Sequence, residues 1–284
     1  MKARWDIILI PSLIISFVLM ITSQLIFLKS SLFKDLGLGR TGDEVVLTNY
    51  IRFFTDDFYI HVLWLTVQVS FMAMLFTLIF GFPVAYMIAR LRSRWAMVLL
   101  AGIVISTFVT IVIKVFGIYI MFSSSGIINQ VLVGSGLLDK PFTVIGNNAG
   151  VVVGLMHFTL GFGVLVLYSV VQTIPRSLEE AAQIHGSNRW RVWRRVIIPL
   201  SLPGVTVSAL MIFNMCMGAF TSAALLGGGR VFTLPVLIQR IVIMEVKYSM
   251  GGTLAAILLI SVLLINLLSI FLITRMRKQR LVIT

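Results

Sequence analysis

Charge is scarce in this sequence. Asp, Glu, Lys and Arg make up 12% of its residues, about half the share of roughly 25% found in soluble domains. That leaves too little polar surface to coat a water-soluble globule, but apolar side chains can face lipid. Cysteine occurs once, as Cys216, which excludes an internal disulfide and a thiolate metal cluster. The three histidines hold no ligand spacing; His157 in particular has no second histidine or cysteine near it. Paired carboxylates and nucleophile motifs are missing too, which leaves a membrane enzyme without chemistry. No G-x-x-x-x-G-K-[ST] stretch occurs, so the chain has no phosphate loop of its own.

Apolar runs fill the space. The chain has 284 residues, 59% of them hydrophobic, and a mean hydropathy of +1.05. A spanning helix needs about 20 mostly apolar residues. Six stretches qualify: Ile7–Leu28, Ile60–Ala89, Trp95–Phe122, Ala149–Val171, Leu200–Leu226 and Met250–Thr274. This predicts an all-α membrane protein forming a single domain over residues 1–284. Pro83 is a candidate kink in the second span. The first run follows a basic start, Lys2 and Arg4, but is too long for a secretory signal, and no small-residue cleavage pattern follows it. It reads as a retained anchor.

The net charge of +13 could mark a nucleic-acid binder, so its distribution decides. With both termini in the cytoplasm, the inner segments hold Lys2, Arg4, Arg90, Arg92, Arg94, Arg176, Arg189, Arg191, Arg194, Arg195, Arg275, Arg277, Lys278 and Arg280. These face only Asp6, Glu179 and Glu180, a net +11. The outer segments, 29–59, 123–148 and 227–249, net +1. Basic residues therefore mark the cytoplasmic face, and nucleic acid is not needed to explain them. Within the outer segments, 231–246 reads as a re-entrant or surface helix. Gly146, Gly150 and Gly154, each four apart, form a small-residue stripe for close helix approach, within one subunit or between two.

The inner stretch 173–199 carries the most information. Pro175-Arg-Ser-Leu-Glu-Glu-Ala-Ala-Gln-Ile-His-Gly186 reads as a short helix with Ser177 and Glu180 in capping-box spacing and Gly186 as a left-handed stop. Ser187 and Asn188 can cap a second, arginine-rich helix running from Arg189 to Ile198, toward Pro199. Such caps occur on many surface loops; the complete spacing is more specific. Glu180-Ala181-Ala182, three residues, Gly186, nine residues, then Val196-Ile-Ile-Pro199 resembles the EAA loop of ATP-binding-cassette importer permeases, with Val196 and Ile198 as mild departures. Gly81-Phe-Pro-Val-Ala-Tyr-Met-Ile-Ala-Arg90, Gly126-Ile-Ile-Asn129 and Gly218-Ala-Phe-Thr-Ser-Ala-Ala-Leu-Leu-Gly-Gly228 resemble the spermidine/putrescine permease B subgroup.

The resemblance implies a type I importer permease fold in a bacterial inner membrane. It implies a sister permease subunit as heterodimeric partner, an ATPase dimer that binds ATP and Mg, and an external solute-binding protein. No cofactor would bind this chain. Glu180, Ala181, Ala182, Gly186 and Pro199 would form the ATPase-coupling elbow, and the cargo would be a polyamine or related amine. A self-sufficient secondary transporter is the competing class; it would call for paired intramembrane acids or matching broken helices, and neither is visible.

Other residues are less specific. Gly37-Leu-Gly39-Arg-Thr-Gly42 fits G-x-G-x-x-G, but it follows a span and not a βαβ strand. Lys114 is a charge inside the third span, either facing a cavity or snorkelling to the outer interface. Tyr119 and Phe220, with Phe116 and Phe213, could line a pathway for an amine by cation–π contact or serve as packing. Asn214, Gln68 and His157 suit interhelical hydrogen bonds, and Asn214 also joins the pathway candidates. Glu245, outside, could receive a cation or a binding-protein lysine, or simply face solvent.

Overall fold

The structure, a computed structural model, describes residues 5–37 and 39–281. Lys2, Arg4 and Leu38, and the side chains of Asp6, Arg277, Lys278 and Arg280, lie outside the described residues. Among the described residues six helical stretches are long and apolar enough to cross a membrane: Ile10–Ser31, Asp57–Arg90, Ile111–Gly134 (interrupted at 123–126), Asn148–Gln172, Arg189–Met217 and Tyr248–Phe271. Contacts group the chain into two units. One takes the described residues up to Leu63 together with those from Leu234 onward; the other is Trp64–Thr233.

The first unit holds α1 (Trp5–Ser31), a hairpin of β1 (Phe33–Gly37) and β2 (Arg40–Val45), α2 (Thr48–Thr55), and the start of α3 (Asp57–Arg90). From the other end of the chain it takes the short α12 (Leu234–Gln239), a π turn (Arg240–Met244) and α13 (Tyr248–Leu281). Helix α1 packs along α13, and polar groups stitch their adjoining ends. Ser31 Oγ bonds Tyr50 Oη at 2.8 Å, Thr253 Oγ1 donates to Ser31 O at 3.2 Å, and Asn49 Nδ2 donates to Ser249 Oγ at 2.7 Å. The hairpin went unforeseen because its strands, Phe-Lys-Asp-Leu-Gly and Arg-Thr-Gly-Asp-Glu-Val, show no clean alternation of apolar and polar residues. Within the G-x-G-x-x-G stretch, Gly37 ends β1 and Arg40, Thr41 and Gly42 open β2. The helix expected over 231–246 runs from Leu234 to Met244. Glu245 is held by its own neighbours, 2.8 Å from Lys247 Nζ and 4.0 Å from Arg240 Nε.

The second unit is organised around α7 (Asn148–Gln172), against which α4 (Trp95–Phe108), α5 (Ile111–Phe122), α10 (Ile198–Met217) and α11 (Thr221–Leu226) pack. Asn147 caps α7 by accepting from Gly150 N at 2.9 Å. Thr77 of α3 and Thr159 of α7 share a 2.9 Å hydroxyl bond, while Thr77 also bonds the Ala73 carbonyl and Thr159 that of Leu155. After α5 comes α6 (Ile127–Gly134). There Asn129, 2% exposed, donates to Ser123 O and Phe142 O and accepts from Phe142 N, pinning the following loop.

Two predicted spans are divided. The stretch 95–122 is two helices, because α4 ends at Phe108 and α5 begins at Ile111. No proline stands there. The break falls in Thr107–Ile113, dense in β-branched residues that give up χ1 freedom in a helix, and Thr107 Oγ1 bonds back to Ile103 O at 2.9 Å, a contact that bends helices. The stretch 200–226 breaks at Gly218, which separates α10 from α11. By contrast, α3 runs on through Pro83.

The glycine stripe also resolves. Gly146 lies ahead of α7 with φ +82°, so it is a turn residue. Gly150 and Gly154 are packing residues within this subunit. A Cβ on Gly154 would strike Leu226 Cδ1 and stand 3.3 Å from Ser222 Cβ, both on α11. Gly154→Val is expected to destabilise the detergent-solubilised chain by about 1–3 kcal/mol, the usual cost of overpacking, with partial recovery on adding Leu226→Ala. Thermal unfolding of the single and double variants measures this; a neutral Gly154→Val would mean that α11 does not pack where described.

Candidate functional site

The elbow between α7 and α10 is built on the end of α3. Helix α7 stops at Gln172, and Ile174, 6% exposed, buries into a cluster with Phe82, Ala85, Ala89, Val171 and Ile197. Pro175 then occupies the N-cap of α8 (Arg176–Ile184) with φ −60° and ψ 135°. Its ring suits that extended entry, and it starts the helix two residues before Ser177. The capping box is therefore not formed: α8 has no side-chain cap, and Glu180 lies 3.4 Å from Arg92, both largely exposed.

Its neighbour Glu179, 8% exposed, makes the structural contact. Arg90 Nε stands 2.5 Å from Glu179 Oε1, Tyr86 Oη donates to Glu179 Oε2 at 2.9 Å, and Arg90 Nη2 donates to Ile174 O at 3.0 Å. In the reverse direction Arg176 Nη2 donates to Ala89 O at 2.9 Å. Arginines thus meet carbonyls near the C-terminal ends of α3 and α7, and Glu179 sits in the first turn of α8; both suit the helix dipoles. The sequence placed Arg90 in a basic turn and Glu179 beside the motif, but their pairing across 89 positions left no local signal.

The other face of α8 is bare. Glu180, Ala181, Gln183 and His185 are exposed, as are Leu178 at 43% and Ile184 at 84%. The helix ends in a Schellman motif: Ser187 N bonds Ala182 O at 3.1 Å, Gly186 N bonds Gln183 O at 2.9 Å, and Gly186 has φ +81°. Asn188 caps the next helix by accepting from Arg191 N at 2.8 Å; of the two candidate caps, this is the one used.

The second limb does not stop at Pro199. Helix α9 (Arg189–Val192), a π turn (Trp193–Ile197) and α10 form one continuous rod from Arg189 to Met217. Pro199 lacks the N–H that would reach back one turn, and the wider π turn just before it absorbs the mismatch. Pro199 is thus exposed within the rod, near the start of α10.

The pathway candidates are more scattered. Lys114 lies four residues past the α4–α5 break, in the first turn of α5, not deep within one long helix. Helix α5 packs on α7, which brings Lys114 and His157 within electrostatic range. Tyr119 is 38% exposed and stacks with Phe116 at 6.3 Å between centroids. Phe220, 37% exposed, stands just ahead of α11. Asn214 is half-buried on α10, Phe213 is 4% exposed and belongs to the core, and Gln68 is exposed on α3. Among the described residues no group of three or more His, Cys, Asp or Glu could hold a metal ion.

Comparison with known proteins agrees with this architecture. The spermidine/putrescine transport system permease protein PotB of Haemophilus influenzae is 29% identical over 236 residues, covering 83% of this chain and 82% of the relative. Its Escherichia coli counterpart is 30% identical over 184 residues, 65% of this chain and 66% of that relative. A solved bacterial ABC transporter involved in the import of the acidic polysaccharide alginate superposes with a TM-score of 0.75 at 20% identity, over 94% of this chain and 96% of that one; it speaks for the fold alone. Residues 64–280 match the family described as binding-protein-dependent transport system inner membrane component. With its elbow and six long apolar helices, the chain belongs to that family, as a type I permease subunit of an ABC importer in the inner membrane.

Proposed function

We propose that the whole chain acts as one permease domain. It lines half of a translocation pathway with a sister permease and takes cargo from an external binding protein. Partner ATPases that hold ATP and Mg drive it. Both termini then lie in the cytoplasm with the arginine-rich elbow, as the basic-residue asymmetry requires.

One observation carries the coupling assignment. Helix α8 is clamped on one side by Glu179 and Arg176 and bare on the other, where Leu178 and Ile184 are exposed. Apolar side chains standing free on an otherwise polar elbow suit a partner's groove. Ala181 and Ala182 let that partner approach closely, Glu180 stands at its rim, Gly186 sets the bend, and Pro199 marks where the elbow's rod enters the span. The partner's nucleotide cycle would bias a rigid-body switch between inward- and outward-facing states.

For the cargo, the polyamine in the relatives' names is the best-supported class. Tyr119 and Phe220 present aromatic faces suited to an ammonium group. Lys114 repels a cation, so it would stand beside the passage, and Asn214 on α10 is a neutral hydrogen-bonding candidate. Uptake of labelled spermidine by proteoliposomes holding the full importer tests this; uptake of an anionic solute but not spermidine would overturn the cargo assignment.

The elbow yields two further expectations. Ile184→Asp should cut uptake at least tenfold and release the ATPase during purification while the chain still folds; retention of the ATPase would refute the docking face. Glu179→Gln should cost about 3–5 kcal/mol of stability by leaving Arg90 buried without its counter-charge, whereas Glu180→Gln, at an exposed pair, should cost under about 1 kcal/mol. Thermal unfolding separates the two, and equal effects would remove Glu179 as the tether.

A further inference from the structure

Two openings adjoin each other in the second unit. The first, of about 700 Å³, lies beside the elbow and is lined by Tyr86, Arg90, Glu179, Arg189, Trp190 and Trp193, among others. The second, of about 280 Å³, lies between α3 and α10 and is lined by Leu78, Ile79 and Phe82 on one side and Ile198, Leu202 and Val205 on the other. Pro83 and Trp193 line both, so the cleft, whose charged residues stand among Met87, Leu91 and Val192, adjoins the apolar groove. The groove's one polar lining residue, Ser201, has its hydroxyl bonded to Ile198 O at 3.0 Å.

The dimensions and charge define an occupant. From Arg90 to Leu78 is about 18 Å at the helical rise of about 1.5 Å per residue, close to the roughly 15 Å depth of one leaflet's hydrocarbon. Two arginines face one carboxylate in the cleft; Glu179 is held by Arg90, and among the described residues no carboxylate lies within ion-pair distance of Arg189. Trp190 and Trp193 stack at 5.1 Å between centroids, at the helix ends where tryptophan favours the headgroup layer.

We propose that the cleft and groove together hold one anionic phospholipid, its phosphate against Arg189 and Trp190 and one acyl chain in the groove beyond Trp193. The assignment needs only that the elbow end lies at a headgroup layer, so it does not depend on ATPase coupling or on the cargo. Tyr86, Arg90 and Glu179 form one wall of the cleft, so an occupant would brace the elbow's tether.

Native mass spectrometry of the full chain, extracted with its partners and then released with added lipid, tests this. Phosphatidylglycerol should be retained and phosphatidylcholine should not. Arg189→Glu should lower retention at least tenfold, while Arg191→Glu, outside the cleft, should stay within twofold. Ile79→Trp fills the groove from an exposed position and should lower retention without disturbing the fold. Equal retention of phosphatidylcholine, equal loss with Arg191→Glu, or no lipid because a protein partner covers the cleft would each overturn the proposal.

Discussion

The elbow between α7 and α10 depends on Glu179 meeting Arg90 in a place with little water. A short helix on a hairpin has no stability of its own at nine residues. The ion pair, the Tyr86 hydroxyl and two arginine-to-carbonyl bonds fasten it to the ends of two long helices. Such a pair is costly to form and costlier to break on one side, which gives the attachment a defined geometry more than extra stability. The apolar cluster around Ile174 and Ile197 closes beneath it.

The rest of the chain follows a similar economy. Lipid offers little incentive for one apolar helix to seek another, so close packing and short hydroxyl contacts take over. Thr77 with Thr159, and Ser31 with Tyr50 and Thr253, are such contacts. Gly154 and Gly163 supply the closeness, the latter facing Thr77 and Ile212. The large apolar side chains along α1 and α13, such as Leu19 and Leu263, stand outward, as expected of residues whose solvent is acyl chain.

Much of this was legible in the sequence. Runs of about twenty apolar residues needed no tertiary information, and neither did the Gly186 stop or the Asn188 cap, since these obey rules local to a few residues. What escaped was either energetic competition within a helix or contact across the chain. The β-branched stretch around Thr110 ends a helix that hydropathy alone would continue, and Pro199, which looks like a stop, is carried through by a π turn. Ser177 and Glu180 have the spacing of a capping box, but Pro175 takes the N-cap first. Glu179 looked like a bystander because its partner lies in another loop. Glu180 drew the eye as the motif residue, although its carboxylate faces solvent.

The unbroken run from Arg189 to Met217 has a mechanical meaning. Its 29 residues make a shaft of about 43 Å at the usual rise per residue, longer than the roughly 30 Å hydrocarbon thickness. Unbroken helix lets a push or twist applied near Asn188 travel along the axis into the span. Its compliant places are the π turn at Trp193–Ile197, with its wider coil, and Pro203, whose missing N–H leaves a backbone bond unmade inside α10.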